Sequence, residues 1–263
     1  KYAGTDELRT EDFQWALDDP EIKAVWCARG GYGSVKIIDE LDLTNFKKLP
    51  KWIIGYSDIT VFHNHLNRLG FQTLHAVTAK KLANTEYHTS SYQSVYEALF
   101  GNELDYEIQS HAYNNLGEAE GELVGGNLSI VYSLLGSESA ITNPSDKILF
   151  LEDWFENWYA VDRMLMNLKR NNILTQVKGV ILGSFTHMDT EEENAENYNL
   201  PFDPKTYEVI HSFTKNLNVP VAFGFPAGHT GHNISLKMGA KVQLNVTSKN
   251  VTLQHYTNKY ENR

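Results

Sequence analysis

The chain has 263 residues, with 33 Asp and Glu against 23 Lys and Arg, a single Cys, and 41% apolar residues. This length suffices to bury one large core or two small ones, and a single Cys excludes an internal disulfide. A formal net charge of −10 without a local basic cluster argues against a nucleic-acid partner. Because no apolar run approaches about 18 residues, we expect a soluble protein without a membrane span. The N-terminus has neither an initiator Met nor an apolar signal segment, so we expect a processed chain or one cut from a longer protein.

Apolar periodicity over roughly the first 75 residues predicts a parallel α/β unit. Ser34 follows a glycine-rich turn and is a candidate N-cap. Strands that alternate with helices are typical of a doubly wound sheet. The predicted elements, in chain order, are a helix over 8–17, a strand over 24–28, a turn over 29–33, a short helix after Ser34, a strand over 51–55 and a helix over 60–69.

The second half of the chain predicts a further α/β unit. Residues 79–117 are polar and weakly periodic, so we expect a linker between an N-terminal domain (1–78) and a C-terminal domain (118–263). The acidic run 189–197 predicts a solvated loop. The other predicted elements are a helix over 92–99, a loop over 110–117, a glycine turn over 121–127 before a helix from Leu128, a strand over 147–151, a helix over 161–168, a strand over 177–182, a helix over 207–213, a strand over 220–223, a turn over 224–233, and strands over 241–246 and 251–255.

Reactive side chains follow several of these strands. Ser57 lies on a tight turn between a strand and a helix, where its hydroxyl can project clear of the backbone. The Gly-x-Ser-x-Gly pattern is incomplete because Ile59 replaces the second Gly. A simple helix N-cap is therefore the alternative interpretation of Ser57.

Glu152 and Asp153 follow the strand predicted over 147–151, and His229 occupies a glycine-bounded turn after the strand over 220–223. The two carboxylates could instead cap a helix or remain solvated, and a turn His is often structural. A neutral imidazole can take the proton of a Ser hydroxyl, while a carboxylate behind it fixes its tautomer. Ser57, Glu152 and His229 are thus a candidate nucleophile, acid and base.

The turn over 29–33 has two functional interpretations besides a plain turn. It could hold a phosphate, although it matches neither dinucleotide nor Walker A patterns, or its glycines could let backbone N–H groups come close to an oxyanion. Cys27, beside this turn, is either a nucleophile or, because it lies in an apolar strand, an inert core thiol.

Metal ligation is poorly supported by the sequence. His63 and His65 are two apart and face different sides of a helix, while His229 and His232 lack Cys partners or a His-Glu-x-x-His frame. We expect no metal and no cofactor.

Taken together, these segments resemble the LD-carboxypeptidase family of serine peptidases, which includes the microcin C immunity peptidases. The matching stretches run in one order along nearly the whole chain: YAGTDE (2–7), ARGGYG (28–33), GYSDIT (55–60), GGNL (125–128), LED (151–153), DRML (162–165), GSF (183–185) and GH (228–229).

The resemblance implies Ser57 as nucleophile, Glu152 as charge-relay acid and His229 as base, with an oxyanion hole from the N–H groups of Gly31 and Asp58. It also implies a site between two α/β domains, a homodimer, and release of D-Ala from murein tetrapeptide during cytoplasmic peptidoglycan recycling. A microcin-type immunity peptidase acting on aminoacyl-nucleotide amides is the alternative within this class. A non-catalytic ligand-binding module is the alternative outside it.

Two departures from the family pattern accompany the resemblance. Relatives usually begin with a further strand and helix, so we expect the N-terminal domain to lack them here. Ala76 and Val77 also replace the Gly-Pro that many relatives have after His75, and we expect this to alter the wall of the cleft.

Overall fold

The computed structural model describes residues 3–83, 89–189 and 200–256, and it forms two sheets covered by helices. The predicted α/β class is therefore confirmed. The acidic run 189–197 lies outside the described residues except for Asp189. Within the described part, no helix is long and apolar enough to cross a membrane.

The helices and strands of the first half follow one another in this order: α1 (Asp6–Asp18), β1 (Ala24–Trp26), α2 (Thr44–Lys48), β2 (Trp52–Gly55), α3 (Thr60–Arg68), β3 (Thr73–His75), α4 (Thr89–Leu99), β4 (Asp105–Gln109), β5 (Gly117–Asn127) and α5 (Leu128–Ser133). The second half contains β6 (Lys147–Trp154), α6 (Trp158–Arg170), α7 (Ile173–Gln176), β7 (Gly179–Thr186), α8 (Pro204–Thr214), β8 (Val221–Ala222), β9 (Leu236–Met238), β10 (Lys241–Val246) and β11 (Asn250–His255). Short 3-10 helices lie at Ser34–Lys36, Ile38–Glu40, Ser57–Ile59, Ala79–Ala83 and Pro144–Asp146.

The first sheet has the order β1-β2-β3-β9. Its first three strands are parallel, as predicted, and β9 joins them antiparallel through pairs such as Leu74 with Lys237. No local pattern in the sequence predicted this strand, which comes from the far end of the chain. The sheet is thus completed by a segment that follows His229.

The second sheet has the order β4-β11-β10-β5-β6-β7-β8. Strands β5 to β8 are parallel, and β10, β11 and β4 extend the sheet antiparallel from β5. Every residue of β7 is buried, which is typical of a parallel strand covered on both faces. Helices α6 and α8 cover one face through an apolar cluster that includes Val161, Leu165 and Ile210.

Polar contacts between α3 and β5 join the two sheets below the site. The Asn127 N–H donates to Thr60 Oγ1 at 3.0 Å, and Asn64 Nδ2 donates to the Gly125 carbonyl at 3.0 Å. A Cβ on Gly126 would lie 2.5 Å from Thr60 Oγ1, so the glycine permits this close approach. The contact fixes the start of α3, which follows Ser57, relative to the second sheet.

Most predicted helices and strands are present, often longer than predicted, and several expectations were wrong. The turn expected over 121–127 belongs to the eleven-residue strand β5. Strand β4 lies in the segment expected as a linker and pairs with β11. Gly33, not Ser34, is the N-cap residue of Ser34–Lys36, and the helix expected after Ser34 is two 3-10 turns.

Candidate active site

Ser57 lies directly after β2, in a strained backbone conformation. Its φ is +65°, a value that residues other than Gly rarely adopt. Ser57 is also the first residue of the 3-10 helix Ser57–Ile59. The N-cap of that helix is Tyr56, without a side-chain cap, so the N-cap interpretation of Ser57 was wrong. This conformation is typical of a nucleophile held on a sharp strand-to-helix turn.

The glycine turn before Ser34 packs against Ser57. A Cβ on Gly30 would lie 2.7 Å from Ser57 Cβ and 3.0 Å from its Oγ, so only Gly permits this contact. Gly31 lines the same cleft as Ser57 and has a φ of +86°. The buried Asp58 carboxylate accepts a hydrogen bond from the Ser34 N–H at 2.8 Å. That bond ties the turn holding Gly31 to the turn holding Ser57.

Glu152 and His229 form a hydrogen-bonded pair. Glu152 lies in β6 with its side chain fully buried, and its Oε2 accepts from His229 Nδ1 at 2.6 Å and from the His229 N–H at 3.2 Å. Because Nδ1 donates a hydrogen bond to the Glu152 carboxylate, the neutral His229 ring has its proton on Nδ1 and a lone pair on Nε2. The solvated-carboxylate interpretation of Glu152 was therefore wrong.

Three neighbours hold the His229 ring and backbone in place. The Trp154 ring stacks on it with centroids 5.6 Å apart and an interplanar angle of 12°, and the Tyr56 ring lies 4.8 Å away. Thr186 Oγ1 donates to the His229 carbonyl at 2.9 Å. These contacts restrict the orientation of the ring above Glu152.

Asp153 points away from His229, because successive side chains of a strand face opposite sides. Its Oδ2 accepts from the Ser129 N–H at the start of α5, and its Oδ1 accepts from Asn127 Nδ2 and the Trp154 N–H. The helix-capping interpretation thus fits Asp153 and not Glu152. Burial, followed by the neighbouring Glu152 charge, raises the pKa of Asp153 to about 7.

A cleft of about 1170 Å³ brings these segments together. Both Ser57 and His229 line it, while Glu152 lies beneath His229. Several of the lining side chains belong to no motif in the sequence, although some of them are next to residues that do. The lining residues include Arg29, Gly31, Ser57, Asp58, Thr78, Lys80, Lys81, Asn127, Asp153, Trp154, Thr186, His187 and His229.

The structure does not bring Ala76 and Val77 to the cleft wall, so that expectation was wrong. Both side chains are fully buried in a core cluster with Ile54 and Leu74, and it is Thr78 that lines the cleft. A substitution at either position acts through packing under the wall.

The other candidate residues serve the core. Burial raises the pKa of the Cys27 thiol to about 12, with the Asp58 charge adding to it, so Cys27 is no nucleophile near neutral pH. His63 is fully buried between Thr73 Oγ1 and the Gly55 carbonyl, and burial lowers its pKa to about 4. Over residues 3–83, 89–189 and 200–256, no cluster of three His, Cys, Asp or Glu side chains could hold a metal ion.

Comparison with known proteins identifies the family of the chain. Residues 1–76 match the family model of the LD-carboxypeptidase N-terminal domain, and residues 120–244 match that of the C-terminal domain. The fold and these matches thus define a peptidase of the α/β class. The chain belongs to the LD-carboxypeptidase family.

Its relatives include the murein tetrapeptide carboxypeptidase of Pseudomonas aeruginosa, to which it is 30% identical over 252 residues, or 92% of this chain and 78% of that protein. The crystal structure of muramoyltetrapeptide carboxypeptidase from Oxalobacter formigenes is similar with a TM-score of 0.83 and 26% identity, covering 97% of this chain and 84% of that one. A structure of MccF in complex with glutamyl sulfamoyl guanosine shares the fold, with a TM-score of 0.79 and 23% identity over 97% of this chain and 82% of that one.

Proposed function

We propose that this protein is a serine-type LD-carboxypeptidase that hydrolyses the L-to-D peptide bond at the C-terminus of murein tetrapeptide and releases D-Ala. The observation that supports it most directly is the buried Glu152–His229 pair, at 2.6 Å, beside a cleft that Ser57 also lines. The name and sequence of the Pseudomonas relative support the choice of substrate.

In this mechanism, His229 Nε2 takes the proton of Ser57 Oγ as the oxygen attacks the scissile carbonyl. Glu152 keeps the second ring proton on Nδ1 and stabilises the imidazolium that forms. The N–H groups of Gly31 and Asp58 receive the oxyanion. The imidazolium then protonates the leaving D-Ala amine, and water releases the acyl group from Ser57 by the reverse sequence of proton transfers.

The test is release of free D-Ala from murein tetrapeptide, followed by mass spectrometry. We expect release by the unmodified protein and a loss of several orders of magnitude in Ser57→Ala. Ser133→Ala is a matched control, because Ser133 is exposed on α5 and its hydroxyl donates to the Ile130 carbonyl of the same helix. Turnover that persists unchanged in Ser57→Ala would contradict the nucleophile.

The same assay with an aminoacyl sulfamoyl nucleotide tests the alternative of an immunity peptidase, the class to which MccF belongs. Cleavage of that amide, without D-Ala release, would replace the murein substrate and keep the three site residues. Tight binding of either compound without any turnover would favour the non-catalytic module.

The setting of the reaction is a further part of the proposal. We expect peptidoglycan recycling in the cytoplasm and a homodimer, both of which come from the resemblance to the family. Sedimentation of the purified chain tests the dimer, and a single species with the mass of a monomer would contradict it.

A further inference from the structure

The exposed charges of the cleft are positive, although the chain as a whole has a net charge of −10. Among the described residues that line it, the cationic side chains are those of Arg29, Lys80 and Lys81, with Arg29 and Lys80 exposed. The two acids that line it, Asp58 and Asp153, are buried and accept hydrogen bonds from backbone N–H groups. Such a cleft concentrates an anionic ligand against the field of the surrounding surface.

A backbone hydrogen bond brings Lys80 close to the segment of Arg29. The Lys80 N–H donates to the Ala28 carbonyl at 3.2 Å, so Lys80 lies on the segment next to Arg29. Arg29 precedes Gly30, which is packed directly against Ser57. Within residues 3–83, 89–189 and 200–256, neither Arg29 nor Lys80 forms an ion pair.

A carboxypeptidase substrate carries an anion at a fixed distance from the reacting bond. The terminal carboxylate lies one residue beyond the scissile carbonyl, about 4 Å away, since consecutive Cα atoms are about 3.8 Å apart. A cationic side chain on a segment in contact with the nucleophile is therefore well placed to bind it. Arg29 meets that requirement, and its planar guanidinium can bind both oxygens of a carboxylate at once.

We propose that Arg29 binds the terminal carboxylate of the peptide and restricts the enzyme to free C-termini, with Lys80 adding to the local positive potential. This inference rests on the proposed function, because it assumes that the scissile carbonyl lies at Ser57. It makes Arg29 a specificity-determining residue that need not take part in proton transfer.

The experiment compares two ligands, murein tetrapeptide and the same peptide with a C-terminal carboxamide. Binding is measured by calorimetry in a Ser57→Ala background, where no turnover interferes. Hydrogen bonds to a charged group correspond to a preference of about 10-fold to 100-fold for the free acid. We expect Arg29→Gln to bring that ratio close to one, chiefly by weakening the acid, and Arg29→Lys to give an intermediate ratio.

Lys48→Gln is the matched control, since it removes the same charge from an exposed position on α2, outside the cleft. It should leave the ratio unchanged. Thermal unfolding of each variant separates a folding defect from a binding defect, and Arg29→Lys provides a second variant if Arg29→Gln is unfolded.

The inference would be overturned if the protein with Arg29 intact did not bind the acid, or bound acid and amide about equally. It would also be overturned if Arg29→Gln and Arg29→Lys both left the acid-to-amide ratio unchanged. D-Ala release by the unmodified chain is assayed in parallel. Release without acid preference refutes the role of Arg29 alone, whereas acid preference that depends on Arg29, without release, refutes the peptidase and keeps the anion site.

Discussion

Replacing Glu152 with Gln tests the importance of the charge beneath His229. The substitution keeps the size of a side chain that is fully buried beside Gly228 and Gly183, and its amide oxygen can still accept from His229 Nδ1. What is lost is the negative charge opposite the imidazolium. The pair should therefore remain folded and in place while catalysis falls.

The size of the effect follows from the separation of the two groups. At 2.6 Å and an effective dielectric constant of about 20, the attraction between imidazolium and carboxylate is about 6 kcal/mol. A neutral hydrogen bond from the Gln amide recovers about 1 kcal/mol of that loss. Allowing for the smaller cost of burying an uncharged side chain, about 4 kcal/mol remains, which is about a thousandfold in rate.

The assay is kcat/KM for D-Ala release by Glu152→Gln, with thermal unfolding measured beside it. Glu138→Gln is the control, because Glu138 is exposed and pairs with Arg68 away from the cleft. A folded Glu152→Gln protein with kcat/KM within about tenfold of the unmodified enzyme would show that the charge on Glu152 does not stabilise the imidazolium.

Three further outcomes are expected. The pKa of Asp153 rises on folding from 3.8 to about 7, so the free energy of unfolding, measured by urea titration, should fall by about 3 kcal/mol from pH 4 to pH 7 relative to Asp153→Asn and level off above pH 7; parallel curves for the two proteins would contradict this. Cys27, whose pKa rises from 9.0 to about 12, should react with iodoacetamide at pH 8 about a thousandfold more slowly in the native protein than in urea, and equal rates would exclude its burial. Asp58→Ala removes the bond to the Ser34 N–H and should lower kcat by about tenfold or more while Asp58→Asn, which can still accept that bond, restores most of it; equal loss in both variants would rule out a positioning role.

The amino-acid sequence determined the elements whose signal is local. Apolar spacing alone predicted α3 and β10 almost to the residue, and short apolar runs predicted the parallel strands that end beside the cleft. The sequence also indicated that Ser57 and Glu152 lie near the carboxyl ends of strands, which is where open α/β sheets usually place their reactive residues, although β6 continues two residues past Glu152. Their catalytic roles stay predictions until the variants are assayed.

Only the tertiary structure determined what depends on contacts between distant segments. The glycines of β5 predicted a turn, because Gly is unfavourable in an isolated strand. In the sheet, however, a Cβ on Gly125 would lie 2.1 Å from the Phe150 carbonyl oxygen, so the pairing of β5 with β6 requires a residue without a Cβ. Strand β9 pairs with β3 across more than half of the chain, and no local pattern encodes that pairing. Because successive side chains along β6 face opposite sides, Glu152 bonds to His229 while Asp153 bonds to the start of α5. Two adjacent carboxylates in a sequence do not reveal which of them makes which contact.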